Sequence, residues 1–463
     1  MTDTLRCISP IDNSVYVERP LATAQQSAAA LVLAQDAQSQ WRLTSVAQRQ
    51  ELLSAMVDAF IANSDVISEE ICRQMGRPLS QCAGEVRGFE ERARHMIAIA
   101  PQALADVQTS PRDGFQRFIR KESLGVVFII APWNYPYLTA VNSIVPALMA
   151  GNAVLLKHSA QTPLCSERLV QASEQAGLPQ GLLQALHLSH SNTSALVANP
   201  DIAYVAFTGS VPGGHAIVQA AADRFIGIGL ELGGKDPAYV RADADIGHAV
   251  ENIMDGVFFN SGQSCCGIER VYVHQDHYDE FVQRSAAFAS EYQLGDPTDP
   301  QTNIGPMVRT SAADFVREQI SQALSAGAHC LVDENNFPAS APGTPYLAPQ
   351  LLVDVDHSMR IMHEETFGPA AGIMRVSSDE EAIALMNDSE FGLTASVWTH
   401  DDQAALKIGA QLQTGTVFMN RCDYLDPALA WTGVKNSGHG CSLSMLGYEQ
   451  LTQPKSFHLR MSI

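Results

Sequence analysis

Two adjacent cysteines stand in the stretch "FFNSGQSCCG", residues 258–267, in a chain that has nine cysteines among 463 residues. A zinc site would require Cys-x-x-Cys spacing and a second pair. A disulfide between sequence neighbours closes a strained ring. The pair, Cys265 and Cys266, is therefore either a buried structural feature or contains a nucleophile, since a thiolate is the reactive form of cysteine.

Composition excludes several classes of partner. The net charge of −21 argues against binding to nucleic acid or to an anionic membrane, because both require a basic surface. The N-terminus has no basic segment followed by an apolar stretch, so no signal peptide is predicted, and no apolar run approaches the ~20 residues of a membrane span. The odd number of cysteines, without framework spacing, predicts reduced thiols in the cytoplasm and no metal site.

The periodicity of apolar residues predicts two α/β domains. Residues 21 to about 105 carry apolar residues at helical spacing. The runs "GVVFII", "AVLLKHS" and "IAYVAFTGS" are typical of strands buried on both faces, and a helical pattern follows each one. This alternation predicts a doubly wound parallel sheet, in which ligands bind at the carboxyl ends of the strands. A second alternating block begins near Leu232, and "FQRFIRKE" and "KSFHLRM" are predicted strands.

Five short stretches occur in order along the chain: "APWNYP" at 131–136, "FTGS" at 207–210, "ELGGKD" at 231–236, "GQSC" at 262–265 and "EETFGP" at 364–369. There is no G-x-G-x-x-G motif. Together the five stretches resemble the aldehyde dehydrogenase superfamily over nearly the whole chain. The resemblance implies a Rossmann-type cofactor domain (1–107 and 124–231), an α/β catalytic domain (232–435), and a β-hairpin oligomerisation arm with a C-terminal strand (108–123 and 436–463). It also implies a homodimer or homotetramer.

The resemblance further implies oxidation of an aldehyde to a carboxylate with NAD+ and/or NADP+. Cys265 matches the nucleophile, which forms a thiohemiacetal and then a thioester. Glu231 matches the general base that activates water, a task suited to a carboxylate whose pKa is raised in a partly apolar tunnel. Asn134 matches the side-chain amide that holds the oxyanion. Cys266, in contrast, matches a residue of the tunnel wall.

The same resemblance identifies a set of cofactor residues. Lys157 matches the contact to the adenosine ribose, Ser210 a pyrophosphate contact at a helix N-terminus, and Glu365 the contact to the nicotinamide ribose. The full predicted set comprises Trp133, Lys157, Ser159, Ala160, Gly209, Ser210, Leu232, Gly233, Glu365 and Phe367. Members that prefer NAD often read Lys-Pro-Ser-Glu where this chain has Lys157-His158-Ser159-Ala160. Ala160 lacks the carboxylate that repels a 2′-phosphate, and His158 could approach one, so NADP+ is predicted to serve as well as NAD+ or better.

The predicted substrate pocket contains Tyr135, Ser264, Cys266 and Trp431. The loop of residues 420–438 offers Arg421 for a carboxylate and Asp423 or Asp426 for an amine, and the sequence leaves open which of the three points inward. Semialdehydes such as succinate semialdehyde, amino-aldehydes and plain aldehydes are all compatible with this pocket.

Two other functions are compatible with the fold. A CoA-acylating relative would transfer the thioester to CoA, but such relatives typically lack the glutamate that Glu231 matches. A non-enzymatic protein like some lens crystallins is disfavoured because Cys265, Glu231 and Asn134 are all intact.

Overall fold

Helices form most of the first hundred residues, after one short hairpin. The computed structural model describes residues 3–461. Thr23 and Ser45 each accept a hydrogen bond from the backbone N–H of a glutamine three residues on, which forms a capping box and sets the start of a helix. The elements of this part are β1 (Thr4–Ile8), β2 (Val15–Pro20), α1 (Ala24–Trp41), α2 (Val46–Ile61), α3 (Ser64–Met75) and α4 (Leu79–Ala103).

These helices confirm the pattern predicted for residues 21–105, whereas the β1–β2 hairpin was not predicted. Within residues 3–461, no helix is long and apolar enough to cross a membrane.

The first α/β block alternates strand and helix as the apolar runs predict. Its elements, with the two strands that precede them, are β3 (Val107–Gln108), β4 (Phe115–Ser123), β5 (Val126–Ala131), α5 (Pro136–Met149), β6 (Ala153–His158), α6 (Pro163–Gln175), β7 (Leu183–Ala185), α7 (His190–Val197), β8 (Ile202–Thr208), α8 (Val211–Ala220) and β9 (Gly227–Glu231). Strands β9, β8, β5, β6 and β7 lie in that order and are all parallel. The chain moves from β5 to one side through β6 and to the other through β8, which creates a crevice at the carboxyl ends of β5 and β8.

The second block contains β10 (Asp236–Val240), α9 (Ile246–Phe258), β11 (Ile268–His274), α10 (Tyr278–Ser290), α11 (Thr310–Ser325), β12 (His329–Cys330), β13 (Gln350–Val353), α12 (Arg360–His363), β14 (Ala370–Val376), α13 (Asp379–Asn387), β15 (Phe391–Gly392), β16 (Thr394–Trp398), α14 (Asp402–Gly409) and β17 (Thr416–Met419). Its sheet runs β12-β13-β14-β11-β10-β16-β17, with only the β12–β13 pair antiparallel. Separate apolar clusters cover its two faces.

The C-terminal segment returns to the first block and then leaves it. It forms β18 (Val434–Lys435), β19 (Gly438–His439) and β20 (Thr452–Arg460). Strand β19 pairs antiparallel with β9, and Tyr448 donates a hydrogen bond to the Met96 carbonyl at 2.6 Å. Strand β20 pairs antiparallel with β4 along its whole length, with the rings of Phe118 and Phe457 stacked at 4.6 Å. The two segments "FQRFIRKE" and "KSFHLRM" are therefore confirmed as strands. Their pairing with each other was not predicted, and β20 is mostly exposed.

Asn152 connects two parts of the first block to the C-terminal segment, and its replacement tests how far they depend on one another. Its side chain is fully buried; Oδ1 accepts from the N–H groups of Leu124 and Gly125, and Nδ2 donates to the carbonyls of Ala147 and Leu451. We expect Asn152→Ala to lower the free energy of unfolding by about 3 kcal/mol, because buried N–H and C=O groups lose their partners. Urea unfolding followed by circular dichroism measures this change.

The matched control is Asn335→Ala at an exposed position, which we expect to change the free energy of unfolding by no more than ~0.5 kcal/mol. Equal unfolding midpoints for the two variants would contradict the role assigned to Asn152.

Candidate active site

Two cavities meet at Cys265. The larger, of about 740 Å³, lies at the carboxyl ends of β5, β6 and β8 and extends to residues 307–315 and 365–367 of the second block. The smaller, of about 370 Å³, lies between α4, the start of α5 and the loop that contains Asp423 and Trp431. Cys265, Glu231 and Thr139 line both cavities. A group bound to Cys265 is therefore accessible from both cavities.

The loop that carries Cys265 has an unusual backbone. Asn260, Ser261 and Gly262 have φ values of +53°, +56° and +69°, a left-handed conformation that costs free energy for residues other than glycine. A Cβ atom at Gly262 would lie 2.2 Å from the carbonyl oxygen of Gly368, so no larger residue fits there. The buried side chain of Gln263 accepts a hydrogen bond from the backbone N–H of residue 308 and donates one to the Asn260 carbonyl. The loop is thus held in one conformation by contacts to its surroundings.

Asn134 lies directly against this loop. Its side chain is 4% exposed, and its amide Nδ2 donates to the carbonyl of Gln263 at 3.1 Å. The backbone carbonyl of Asn134 accepts hydrogen bonds from Arg77 and from Asn260. Arg77 in turn forms a fully buried ion pair with Glu85 at 2.6 Å, and Glu85 accepts from two backbone N–H groups in the first turn of α5. These contacts place the Asn134 amide beside the residues that precede Cys265.

Glu231 is the last residue of β9 and faces both cavities. Its two carboxylate oxygens accept hydrogen bonds from Ser442 Oγ at 2.6 Å and from Thr208 Oγ1 at 3.1 Å. Burial raises the pKa of Glu231, and the two hydroxyl donors oppose part of that rise. Such a carboxylate can accept a proton from water more readily than an exposed one.

Of the three charged candidates in the 420–438 loop, Asp423 is the one that lines the smaller cavity. It accepts hydrogen bonds from Cys266 Sγ at 2.9 Å and from Ser264 Oγ at 3.4 Å. Burial raises the pKa of Asp423 to about 6. Arg421 and Asp426 lie outside the lining of this cavity. Cys266 therefore lies in the wall of the smaller cavity, and its thiol is hydrogen-bonded to the carboxylate of Asp423.

The larger cavity contains most of the predicted cofactor residues. Ser210 is the N-cap of α8, with Oγ accepting from a backbone N–H of the first turn at 3.3 Å, so the N-terminus of that helix faces the cavity. The predicted residues that line it are Trp133, Lys157, Ser159, Gly209, Ser210, Leu232, Gly233, Glu365 and Phe367. Ala160 is exposed and lies outside the lining. Burial lowers the pKa of Lys157.

Glu365 approaches the backbone of the "ELGG" stretch. Its Oε1 accepts from the N–H of Gly234 at 3.0 Å, and a Cβ atom at Gly233 would lie only 2.2 Å from the same oxygen. Gly233 is therefore needed for this approach. Burial, together with the nearby carboxylate of Glu269, raises the pKa of Glu365 to about 7.

Sequence reasoning missed the pair that holds the Glu365 loop in place. Glu269 accepts from the backbone N–H groups of Thr366 and Phe367, both at 2.8 Å, and pairs with the buried Lys235 at 2.7 Å. Arg77, Glu85, Arg92 and Asn142 were missed as well, although all four line the smaller cavity. The available signal was weak, because these four residues are spread over α5, α4 and the turn before α4 and belong to none of the five motifs.

The prediction that His158 could approach a phosphate is wrong. Its side chain is 2% exposed, and burial lowers its pKa to about 3. Side chains alternate between the two faces of a strand, and at the end of β6 it is Lys157, not His158, that lines the cavity. A buried, neutral imidazole offers no charge to a ligand in the cavity.

The chain matches the sequence model of the aldehyde dehydrogenase family over residues 1–457. It is 33% identical over 456 residues to an NADP(+) succinate-semialdehyde dehydrogenase of Mycobacterium tuberculosis, which covers 97% of this chain and 98% of that protein.

Solved structures share the fold. The succinic semialdehyde dehydrogenase of Streptococcus pyogenes in complex with NADP+ has a TM-score of 0.94 at 28% identity and covers 98% of this chain and 100% of its own. PnpE in complex with nicotinamide adenine dinucleotide has a TM-score of 0.95 at 29% identity, and the match covers 100% of this chain and 95% of PnpE. The chain therefore belongs to the aldehyde dehydrogenase family, with the α/β fold of that family.

Proposed function

We propose that this protein oxidises an aldehyde to a carboxylate with NAD+ or NADP+, with succinate semialdehyde as a candidate substrate. The observation that carries the proposal is the position of Cys265 and Glu231 at the junction of the two cavities. The relatives named for succinate semialdehyde and NADP+ support it. A carboxylate in the position of Glu231 favours hydrolysis of a thioester over its transfer to CoA, and the intact site disfavours a non-enzymatic role.

The side chains can carry out the chemistry in two stages. The Cys265 thiolate attacks the aldehyde carbon, and the oxygen that becomes negative is held by the Asn134 amide and the backbone N–H of Cys265. After oxidation, the acyl group remains on Cys265 as a thioester. Glu231 then takes a proton from water, whose oxygen attacks the thioester carbon, and the carboxylate product leaves as the thiolate re-forms. Cys266 takes no part in bond making.

The larger cavity fits a dinucleotide. Ser210 and the N–H groups at the start of α8 suit a pyrophosphate, Lys157 has no ion pair within residues 3–461, and Gly233 leaves room for Glu365 to accept from ribose hydroxyls. Trp133 and Phe367, whose rings lie 5.7 Å apart edge to face, line the same cavity as Cys265. When bound, NAD+ or NADP+ supplies the acceptor for the hydride.

The two cysteines give the sharpest test of this assignment. We expect Cys265→Ser to abolish aldehyde oxidation, because a hydroxyl is a weaker nucleophile at neutral pH, while binding of NADP+ measured by protein fluorescence stays near that of the wild type. We expect Cys266→Ser to retain most of the activity towards a panel of aldehydes, because this residue only lines the pocket. An inactive Cys266 variant beside an active Cys265 variant would place the nucleophile one residue later.

Cofactor choice is a second test. Because Ala160 supplies no carboxylate, we expect NADP+ to support turnover at least as well as NAD+. A carboxylate about 4 Å from a 2′-phosphate costs several kcal/mol before screening by solvent, so Ala160→Glu should shift both the kcat/KM ratio and the ratio of dissociation constants towards NAD+. The uncharged Ala160→Gln is the matched control and should shift them much less.

Wild-type discrimination against NADP+ by more than about a hundredfold (~2.7 kcal/mol) would contradict this expectation. So would an unchanged ratio in Ala160→Glu.

We also propose the domain division at residues 1–107 with 124–231, 232–435, and 108–123 with 436–463, and assembly into a homodimer or homotetramer through the last of these. The exposed β3–β4–β20 sheet supports this assembly, because its outer strands end in open edges. We expect light scattering at micromolar concentration to show no particle of the 50.0 kDa monomer mass. A stable monomer would show that the open edges need no partner.

A further inference from the structure

Arg92 is a buried cation in the wall of the smaller cavity. It lies on α4 and is 8% exposed. Its Nη1 donates to the carbonyl of Leu138 at 2.7 Å and contacts Asn142 Oδ1 at 3.4 Å. Its Nε and Nη2 have no hydrogen-bond partner within residues 3–461, and it forms no ion pair there. Burial lowers the pKa of Arg92, and the charges of nearby carboxylates, Glu85 first among them, oppose part of that fall.

The other buried arginines of the described chain differ from Arg92 in one respect. Arg49, Arg77 and Arg270 use all three guanidinium nitrogens in hydrogen bonds, whose acceptors are backbone carbonyls, a hydroxyl, a side-chain amide oxygen and a carboxylate. Buried polar groups are almost always satisfied in this way. Two nitrogens of Arg92 are left unsatisfied at the surface of a cavity, as expected for a residue that completes its hydrogen bonds with a ligand.

Two further donors in the wall of the same cavity also lack partners. Asn142 is 2% exposed, and its amide Nδ2 has no hydrogen-bond partner. The hydroxyl of Tyr135 is buried and likewise without an acceptor. Asn142 touches Arg92 through its other atom, Oδ1, so its Nδ2 is free to donate. All three residues line the same cavity. A cluster of donors without an acceptor is suited to bind the oxygens of an anion.

The four acidic groups that line this cavity already accept hydrogen bonds, Glu231 from the two hydroxyl groups described above and the other three as follows. Glu85 pairs with Arg77, Asp423 accepts from Cys266 and Ser264, and Glu91 accepts from the hydroxyl of residue 424 at 2.6 Å. A cationic amine would have to compete with these donors. An anion instead meets donors that have no other partner.

Apolar side chains form much of the remaining wall of the cavity: Leu138, Phe259, Leu425 and Trp431. We propose that Arg92 and Asn142 form a subsite that binds a carboxylate at the far end of the aldehyde substrate, so that the protein selects ω-oxo carboxylates. This inference rests on the proposed oxidation of aldehydes at Cys265. A bidentate contact from a guanidinium to a carboxylate would fill the two free nitrogens and neutralise the buried charge.

The test compares matched substrates in the full-length enzyme. The measured quantity is kcat/KM for succinate semialdehyde divided by kcat/KM for 4-methylpentanal, in which an isopropyl group replaces the carboxylate. We expect the wild type to favour succinate semialdehyde, and Arg92→Met to lower the ratio by roughly a hundredfold or more, because a site built to bind a polar group loses that much selectivity without it. Arg92→Lys should lower it less, since it keeps the charge but loses the bidentate fork. Asn142→Leu should lower it as well.

Arg94→Met is the matched control, because Arg94 lies on the same helix but outside the cavity lining, and its side chain is 40% exposed and paired with Asp58 and Glu90. It should leave the ratio within about twofold of the wild type. Succinate provides a readout that needs no turnover: its dissociation constant for Cys265→Ser should rise at least tenfold when Arg92→Met is added. Circular dichroism checks that each variant is folded.

The outcomes separate the two proposals. A folded wild type that oxidises no aldehyde would overturn the proposed function. A wild type that oxidises aldehydes but prefers 4-methylpentanal or 4-aminobutanal would overturn the carboxylate subsite alone. An equal fall of kcat/KM for both matched substrates in Arg92→Met would also overturn the carboxylate subsite alone.

Discussion

The ion pair between Arg77 and Glu85 is the contact on which the arrangement of the site depends. It is almost completely buried and joins three separate parts of the chain: the start of α4, the Asn134 turn with the first turn of α5, and the loop before Cys265. A buried ion pair adds little net stability compared with apolar packing, but removal of one partner is strongly destabilising. Its main effect here is positional, because each of its hydrogen bonds fixes one element relative to the others.

The fixed loop explains why Cys265 is accessible from two cavities. Residues 260–262 adopt a left-handed conformation that the chain would not favour alone. The bonds of Gln263 and the contact of Gly262 with residue 368 hold that conformation. The second block therefore contributes Cys265, the proposed nucleophile, and the first contributes Asn134 and Glu231 from the ends of β5 and β9. A site assembled in this way requires both sheets to keep their relative position.

Sequence alone could predict the strands and the motif residues, but not the contacts between distant segments. Strands β5, β6 and β8 were predictable because buried parallel strands have continuous apolar runs. Cys265, Glu231 and Asn134 were identified through motifs, whereas Arg77, Glu85 and Arg92 belong to none. The direction of Asp423 could not be predicted because it depends on a backbone φ of +49°. The orientation of His158 was predictable in principle, since it follows Lys157 on a strand and must face the other side.

The ligands proposed for the two cavities are both anions, and both would have to bind to a protein of negative net charge. The chain has a net charge of −21, so its overall field opposes the approach of a phosphate or a carboxylate, although salt screens that field beyond ~8 Å under physiological conditions. Favourable interactions must therefore be local. We propose that Lys157 and the start of α8 provide them in the larger cavity, and that Arg92 and Asn142 provide them in the smaller one. Both cations are partly desolvated, which lowers the pKa of each. An anionic ligand offsets the free-energy cost of this desolvation only when it is bound in direct contact.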